Sequence, residues 1–240
     1  MKGVNKLKTT SRSWSEYYNS KQSLFELLSD SLLHLHYLGH VIRIKPVRVL
    51  EAGCGPGNHS IVLAHFLRDT SFVLIDNDEA VVEIARKNVE KHGLEKRLTT
   101  CRADIMNLPF GNNSFDVAIS QGVLEHFADR DFSRAIGEQV RASYNVIFSV
   151  PSDNYFQHDF GDELLRPPVA LLALLKDYIR DNMSTCKVKY YRYDLGVRTR
   201  IALFKKLRLE RNALLQSLVA AATTPMHILG VVAKASKASR

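Results

Sequence analysis

Long apolar runs, cysteine pairs and a leader-type segment are all missing from this sequence of 240 residues. No stretch reaches the roughly 18 apolar residues that a membrane span needs. The basic first 13 residues are followed by Trp14-Ser15-Glu16-Tyr17-Tyr18 instead of the apolar core of a signal peptide. The three cysteines are widely spaced without a C-x-x-C pair, which argues against a disulfide framework or a zinc motif. We therefore expect a soluble protein without a transmembrane segment in the reducing cytoplasm.

The composition is that of an ordinary globular protein, with 45% hydrophobic and 24% charged residues. Wholesale disorder, collagen-like repeats and coiled-coil rods are excluded. The net charge of +8 is unevenly placed along the chain. Lys and Arg outnumber Asp and Glu by 8 to 3 over residues 1–48 and by 12 to 2 over residues 186–240, whereas residues 49–185 carry 13 basic and 20 acidic residues. Basic flanks favour an anionic partner, either a substrate, a nucleic acid or a membrane surface, although a solvated rim gives the same pattern.

Short β-branched runs alternate with helical patterns in the middle of the chain, which predicts an α/β fold with a parallel sheet covered on both faces. Two later apolar runs bring the expected strands to seven. We predict a doubly wound, Rossmann-like, mostly parallel seven-stranded sheet. The strands are expected at 47–52, 71–76, 98–103, 115–120, 145–150, 187–193 and 226–235, with helices at 59–68, 79–92, 130–142 and 169–179.

The two ends of the chain have different patterns from the middle. Leucines at three- and four-residue steps predict an N-terminal helical cap over residues 1–46. Residues 47–240 are expected to form one domain, with a cofactor half at 47–151 and a substrate half at 152–240. Within that second half, a basic amphipathic helix at 196–218 lies between the two late strands and is a candidate lid.

Three glycines at alternate positions, Gly53, Gly55 and Gly57, follow the first predicted strand and precede a helix. Such a bare turn lets a nucleotide-like ligand approach the main chain. The dinucleotide fingerprint requires a sixth-position glycine, which here is Asn58, and no Gly-Lys-Ser/Thr follows for a P-loop. These departures argue against a pyrophosphate ligand, leaving another nucleotide-like ligand or a tight turn that binds nothing.

Together with Glu51, these glycines resemble motif I of the class I S-adenosylmethionine-dependent methyltransferases, an acidic residue, any residue, then Gly-x-Gly-x-Gly. The resemblance implies that S-adenosylmethionine binds at the loop, with Glu51 and loop carbonyls accepting hydrogen bonds from the methionine ammonium. Further segments extend the likeness to small-molecule methyltransferases over about residues 47–151: Leu108-Pro109-Phe110, Ser114-Phe115-Asp116-Val117 and Ser120-Gln121-Gly122-Val123-Leu124-Glu125-His126-Phe127.

The resemblance also implies roles for residues at the ends of later strands. Each acid alone is more readily a helix cap or a turn residue, but their order favours the cofactor role. Asp76, 19 residues after Gly57, would accept both ribose hydroxyls. Asn77 would lie beside the adenine, Asp104 on its amino group and Ile105 against its ring, and Gln121 completes the implied cofactor-binding residues.

Two roles stay open for each candidate on the acceptor side. His126 would act as a general base if the acceptor is protonated when bound, although it could instead cap or pack the following helix. Tyr17 and Tyr18, with Trp14, would form an aromatic flap or simply pack a helix. Because in-line displacement of an activated methyl group needs no metal, none is expected. An anionic acceptor would be held by Arg192, Arg198 and Arg200, unless these line a solvated helix face.

The sequence therefore predicts an S-adenosylmethionine-dependent methyltransferase acting on a small-molecule acceptor, with an anionic acceptor as a further hypothesis. An RNA methyltransferase acting on ribose or on a ring carbon stays open. Chemistry on exocyclic base nitrogens is disfavoured, because Ser120-Gln121-Gly122-Val123 stands where Asp/Asn-Pro-Pro-Tyr/Phe is expected. Two further alternatives are a methyltransferase-like subunit that binds without catalysis and a membrane-surface enzyme using the helix near 197–218. The oligomeric state is left open.

Overall fold

The computed structural model describes residues 13–19, 34–155, 162–191 and 227–234. The helices are α1 (Trp14–Asn19), α2 (Leu35–Ile44), α3 (Asn58–Phe66), α4 (Glu79–Lys91), α5 (Asp129–Ala142) and α6 (Pro168–Asn182), with a 3-10 turn at Leu124–His126. The strands are β1 (Arg48–Ala52), β2 (Ser71–Asp76), β3 (Leu98–Arg102), β4 (Phe115–Gln121), β5 (Ser143–Pro151), β6 (Met183–Tyr191) and β7 (His227–Lys234).

The strands form one seven-stranded sheet in the order β3-β2-β1-β4-β5-β7-β6. β1 to β5 pair in parallel, and β7 pairs antiparallel with both β5 and β6. This confirms the prediction of a mostly parallel, seven-stranded α/β sheet. The strand order reverses between β1 and β4, and in open α/β sheets that switch point is where ligands bind, at the carboxyl ends of the strands.

The sheet is buried on both faces, as its continuous apolar strands predict. Successive residues of β1 point to opposite sides: Val49 packs into the core under α2, α3 and α4, whereas Leu50 packs into the core under α5 and α6. The two cores are filled by large side chains such as Tyr37 on the first face and Phe132 on the second. A rigid, doubly covered sheet therefore carries the loops at its carboxyl edge.

Several elements differ from the sequence-based expectation in their bounds, most of all where α6 meets β6. β6 begins at Met183, four residues before the predicted start, because α6 continues to Asn182 and runs directly into the strand. β5 begins at Ser143, two residues early, directly after α5. The predicted helix at 196–218 lies outside the described residues, as does most of the N-terminal cap before α2. Within the part that the structure describes, no helix is both long and apolar enough to cross a membrane.

Candidate functional site

A cleft of about 770 Å³, counting space open to solvent, lies at the carboxyl ends of the strands. Its walls come from segments that directly follow β1, β2, β3 and β4, together with α1 and Asp162. Its position at the switch point of the sheet is where open α/β sheets bind ligands. The fold thus brings loops from four separate strands to one site.

The glycine loop forms the floor of the cleft and has a left-handed backbone. Gly53 has a φ of 71° and Gly55 has a φ of 51°, which lie in a region of backbone conformation that residues other than glycine rarely adopt. The amides of Gly53 and Cys54 donate to the carbonyl of Ile75 at 2.9 and 2.8 Å, which ties the loop to β2. A Cβ on Gly53 would come within 2.5 Å of the side chain of Val123. Conformation and close packing both require glycine there.

Asp76, the last residue of β2, turns its carboxylate into the cleft. One oxygen accepts from the amide of Gly55 at 3.2 Å and the other from the amide of Asp78 at 3.2 Å. Burial raises the pKa of Asp76, and these amides, with that of Asn77, oppose the shift. A carboxylate has about four acceptor positions, so an anchored Asp76 can still accept hydrogen bonds from a ligand.

Three more of the predicted adenosine-binding residues line the same cleft. Asn77 follows Asp76, while Asp104 and Ile105 follow β3. The carboxylate of Asp104 accepts from the amide of Met106 at 2.8 Å, which fixes the turn, and Ile105 is buried. Gln121 ends β4, and its successors Gly122 and Val123 line the cleft instead of it. The arrangement offers acceptors and one apolar surface along a single wall.

Glu51 is placed away from the cleft wall. It is buried, one carboxylate oxygen accepts from the amide of Ser60 at 3.2 Å, and the other lies 3.6 Å from Nδ1 of His59. The acid therefore contacts the start of α3, where a negative charge is favourable. Gly55 lies beneath Tyr18, and Gly57 packs on Leu74. A direct contact of Glu51 with a ligand ammonium stays a prediction.

The short helix α1 covers the glycine loop with aromatic rings. The Tyr18 ring lies where a Cβ on Gly55 would meet it at 2.9 Å, and burial, with the nearby Asp76, raises the pKa of the Tyr18 hydroxyl. Trp14 stacks on Tyr18 with ring centroids 6.0 Å apart and meets His126 edge-on at 5.1 Å. Trp14 and Tyr18 line the cleft, whereas Tyr17 packs edge-on against Tyr18 behind them.

Beside the aromatic rings, His126 pairs with an acid that was not among the site residues predicted from the sequence. Nδ1 of His126 lies 2.8 Å from Oδ1 of Asp162, and both side chains line the cleft. Glu163 brings a third potential metal-ligand atom, and the three atoms of His126, Asp162 and Glu163 lie within 4.8 Å of one another. The two members of the pair are 36 residues apart, so no local spacing relates them. The only available signal was an acidic pair soon after the fifth strand.

The three arginines predicted to hold an anionic acceptor, Arg192, Arg198 and Arg200, lie outside the described residues. Their role therefore stays a prediction.

The comparisons with known proteins agree with this geometry. A methyltransferase domain family profile matches residues 49–143, which span β1 to the start of β5. Over this stretch the chain is similar to methyltransferase domains. The likeness to solved structures concerns the fold alone.

Two curated relatives and one solved structure show how far the likeness extends. The chain is 33% identical over 97 residues to the sterol 24-C-methyltransferase of Aspergillus fumigatus, covering 40% of this chain and 26% of that protein. It is 34% identical over 83 residues to the malonyl-[acyl-carrier protein] O-methyltransferase of Legionella pneumophila, covering 35% and 28%. Phosphoethanolamine N-methyltransferase 2 of Haemonchus contortus, solved with S-adenosyl-L-methionine, superposes with a TM-score of 0.61 at 17% identity, covering 93% of this chain and 60% of that one.

The chain matches only about a quarter of the length of these two curated relatives. The names of these relatives place the methyl group on carbon and on oxygen, and that of the structural neighbour places it on nitrogen. Similarity to methyltransferases therefore does not assign an acceptor to this chain.

Proposed function

We propose that this chain binds S-adenosylmethionine in the cleft and transfers its methyl group to a small-molecule acceptor. The observation that carries the proposal is the convergence of Asp76, Asp104 and Ile105 beside the left-handed glycine loop. Asp76 would accept from the ribose hydroxyls, and Asp104 would accept from the adenine amino group. Ile105 would pack against the adenine ring. These residue types match a nucleoside without a pyrophosphate.

The bound sulfonium supplies an already activated methyl group. The chain then has to align the acceptor with that group and keep water away. Trp14 and Tyr18 form an aromatic wall of the cleft, and His126 and Asp162 form a polar wall that meets it where Trp14 packs edge-on against His126. The aromatic wall excludes water, and the polar wall is where an acceptor with a transferable proton would be held.

The acceptor is proposed to be a small molecule, and an anionic group on it is a further hypothesis. In support, the segment 186–240 carries 12 basic against 2 acidic residues, opposite in sign to the middle of the chain. This segment includes Arg192, Arg198 and Arg200, and an arginine binds a carboxylate or phosphate through two parallel hydrogen bonds.

A labelled-methyl screen tests this function. The full chain is incubated with S-[methyl-³H]adenosylmethionine and, separately, with small hydroxyl, amine and carboxylate compounds and with total RNA. We expect label in a small molecule, and at least tenfold less with Asp76→Ala. Label in RNA alone would support the RNA methyltransferase alternative, and tight binding of adenosylhomocysteine without any transfer would support a non-catalytic binding subunit. Either result would contradict the proposal.

A further inference from the structure

The pair of His126 and Asp162 is held more firmly than an ordinary surface ion pair. His126 ends the 3-10 turn that follows β4, and its side chain is only 14% exposed. The edge-on Trp14 ring packs on it from α1. Asp162 is 63% exposed, and an exposed partner normally contributes little because ordering it costs entropy. The surroundings of Asp162 remove most of that cost.

Two residues, Leu164 and Arg166, fasten the segment that begins with Asp162 to the segment that carries His126. The amide of Leu164 donates to the carbonyl of Glu125 at 2.7 Å. Nη2 of Arg166 donates to the carbonyl of Phe127 and to a carboxylate oxygen of Asp129, each at 2.8 Å. Residues 162–167 therefore run along residues 125–129, and these contacts within the chain set Asp162 opposite the imidazole.

We propose that Asp162 is a positioning residue that orients His126 as the general base, and that the methyl acceptor is a hydroxyl group. The inference rests on the proposed methyltransferase function and specifies its acceptor. A carboxylate beside Nδ1 accepts the proton of that nitrogen, which fixes the Nδ1–H tautomer and makes Nε2 the basic atom. A hydroxyl acceptor needs such a base, whereas a carboxylate is already ionised at neutral pH.

The step balances without another reactant. As the acceptor oxygen bonds to the methyl carbon, the carbon–sulfur bond breaks with its electron pair going to sulfur. The hydroxyl proton passes to Nε2 of His126, and the carboxylate of Asp162 stabilises the imidazolium. The products are a methyl ether and neutral adenosylhomocysteine, and His126 afterwards returns the proton to water.

The first test needs no acceptor and no cofactor. Imidazole ¹⁵N spectra of the full chain, with His126 assigned by His126→Gln, report which ring nitrogen carries the proton. We expect the Nδ1–H form of His126 in the parent protein and a shift toward the Nε2–H form in Asp162→Ala. Glu163→Gln, which removes a neighbouring charge, should leave the parent tautomer. An unchanged tautomer in Asp162→Ala would overturn the positioning role.

The second test uses the compounds of the labelled-methyl screen. Label should appear in hydroxyl compounds. With such a compound, Asp162→Ala should lower kcat about 10- to 100-fold, at the lower end of general-base effects. The KM for S-adenosylmethionine should change less than threefold, and Asp162→Glu should restore part of kcat. Transfer to amines alone, or to no hydroxyl compound, overturns the acceptor class.

The same assay separates a proton-transfer pair from a cation site. A divalent cation held by His126, Asp162 and Glu163 would make activity sensitive to EDTA and equally sensitive to Glu163→Gln and Asp162→Ala. That result would overturn the inference while leaving the proposed function intact. Failure to bind adenosylhomocysteine would instead remove the proposed function, and the tautomer spectra would still test the pair.

Discussion

At the scale of single residues, Asp76 is held by the backbone and faces the cleft. Replacing it with alanine removes charge-assisted hydrogen bonds to a bound ribose, so we expect adenosylhomocysteine to bind about 1.5–3 kcal/mol more weakly, measured by calorimetry. Asp116 is a matched control, because it also accepts from two amides, those of Val47 and Arg48, but at the opposite edge of the sheet. Asp116→Ala should leave the affinity unchanged. Equal affinities of the parent and Asp76→Ala would refute the ribose contact.

A second residue-scale consequence concerns a buried histidine. His227 begins β7, is 5% exposed, and meets the ring of His34 at 5.0 Å. Burial and the neighbouring His34 hold the pKa of His227 well below its usual 6.5. The folded state therefore keeps His227 neutral while the unfolded state takes up a proton as the pH falls below about 6.5. Stability should be level above that pH and then decrease, by up to about 1.4 kcal/mol per pH unit for this group.

Urea unfolding at pH 7.5 and pH 5.5 measures this decrease. The His227→Gln variant should be less stable than the parent at pH 7.5 but should lose less stability on acidification. His65→Gln, at an exposed position, should lose as much as the parent. If His227→Gln loses as much as the parent, the buried imidazole is not the source of the acid sensitivity.

At the scale of elements, α1 places the rings of Trp14 and Tyr18 in the wall of the cleft and the ring of Tyr17 behind that wall. Tyr18 contacts the glycine loop, whereas Tyr17 packs on Tyr18 without lining the cleft. We expect Tyr18→Ala to weaken adenosylhomocysteine binding about tenfold, which corresponds to about 1.4 kcal/mol. Tyr17→Ala, on the same helix, should change it less than threefold. Equal effects of the two substitutions, measured by calorimetry, would show that α1 acts only through its own stability.

The strands were predictable because a doubly covered sheet requires apolar runs of five to six residues, and glycine or an acid ends β1 and β2. The start of β6 was not predictable, because no glycine or proline separates β6 from α6. The pairing of His126 with Asp162 could not be found either. It depends on Leu164 and Arg166 fastening a distant segment to the end of β4, and no periodicity encodes such a contact.

At the scale of the whole molecule, the charge pattern predicts where an anionic acceptor is held. Arg198→Ala combined with Arg200→Ala should raise the KM for an anionic acceptor at least tenfold and leave the affinity for adenosylhomocysteine unchanged. The reason is that a bidentate arginine contact contributes about 1.5–3 kcal/mol to binding of the acceptor. Lys205→Ala combined with Lys206→Ala removes the same charge and should raise KM less than threefold. If the two double substitutions change KM to a similar extent, the arginines act only through the general positive charge of the segment. Loss of strongly salt-dependent RNA binding in the arginine pair would favour the RNA alternative.

The central claim is that the cleft is built for S-adenosylmethionine and not for a dinucleotide. Calorimetric titration of the full chain with adenosylhomocysteine and, separately, with NAD tests it directly. The combination of Gly53, Gly55 and Gly57 with Asn58 at the sixth position predicts micromolar binding of adenosylhomocysteine, about −7 to −8 kcal/mol, and at least tenfold weaker binding of NAD. Tighter binding of NAD than of adenosylhomocysteine would contradict the account.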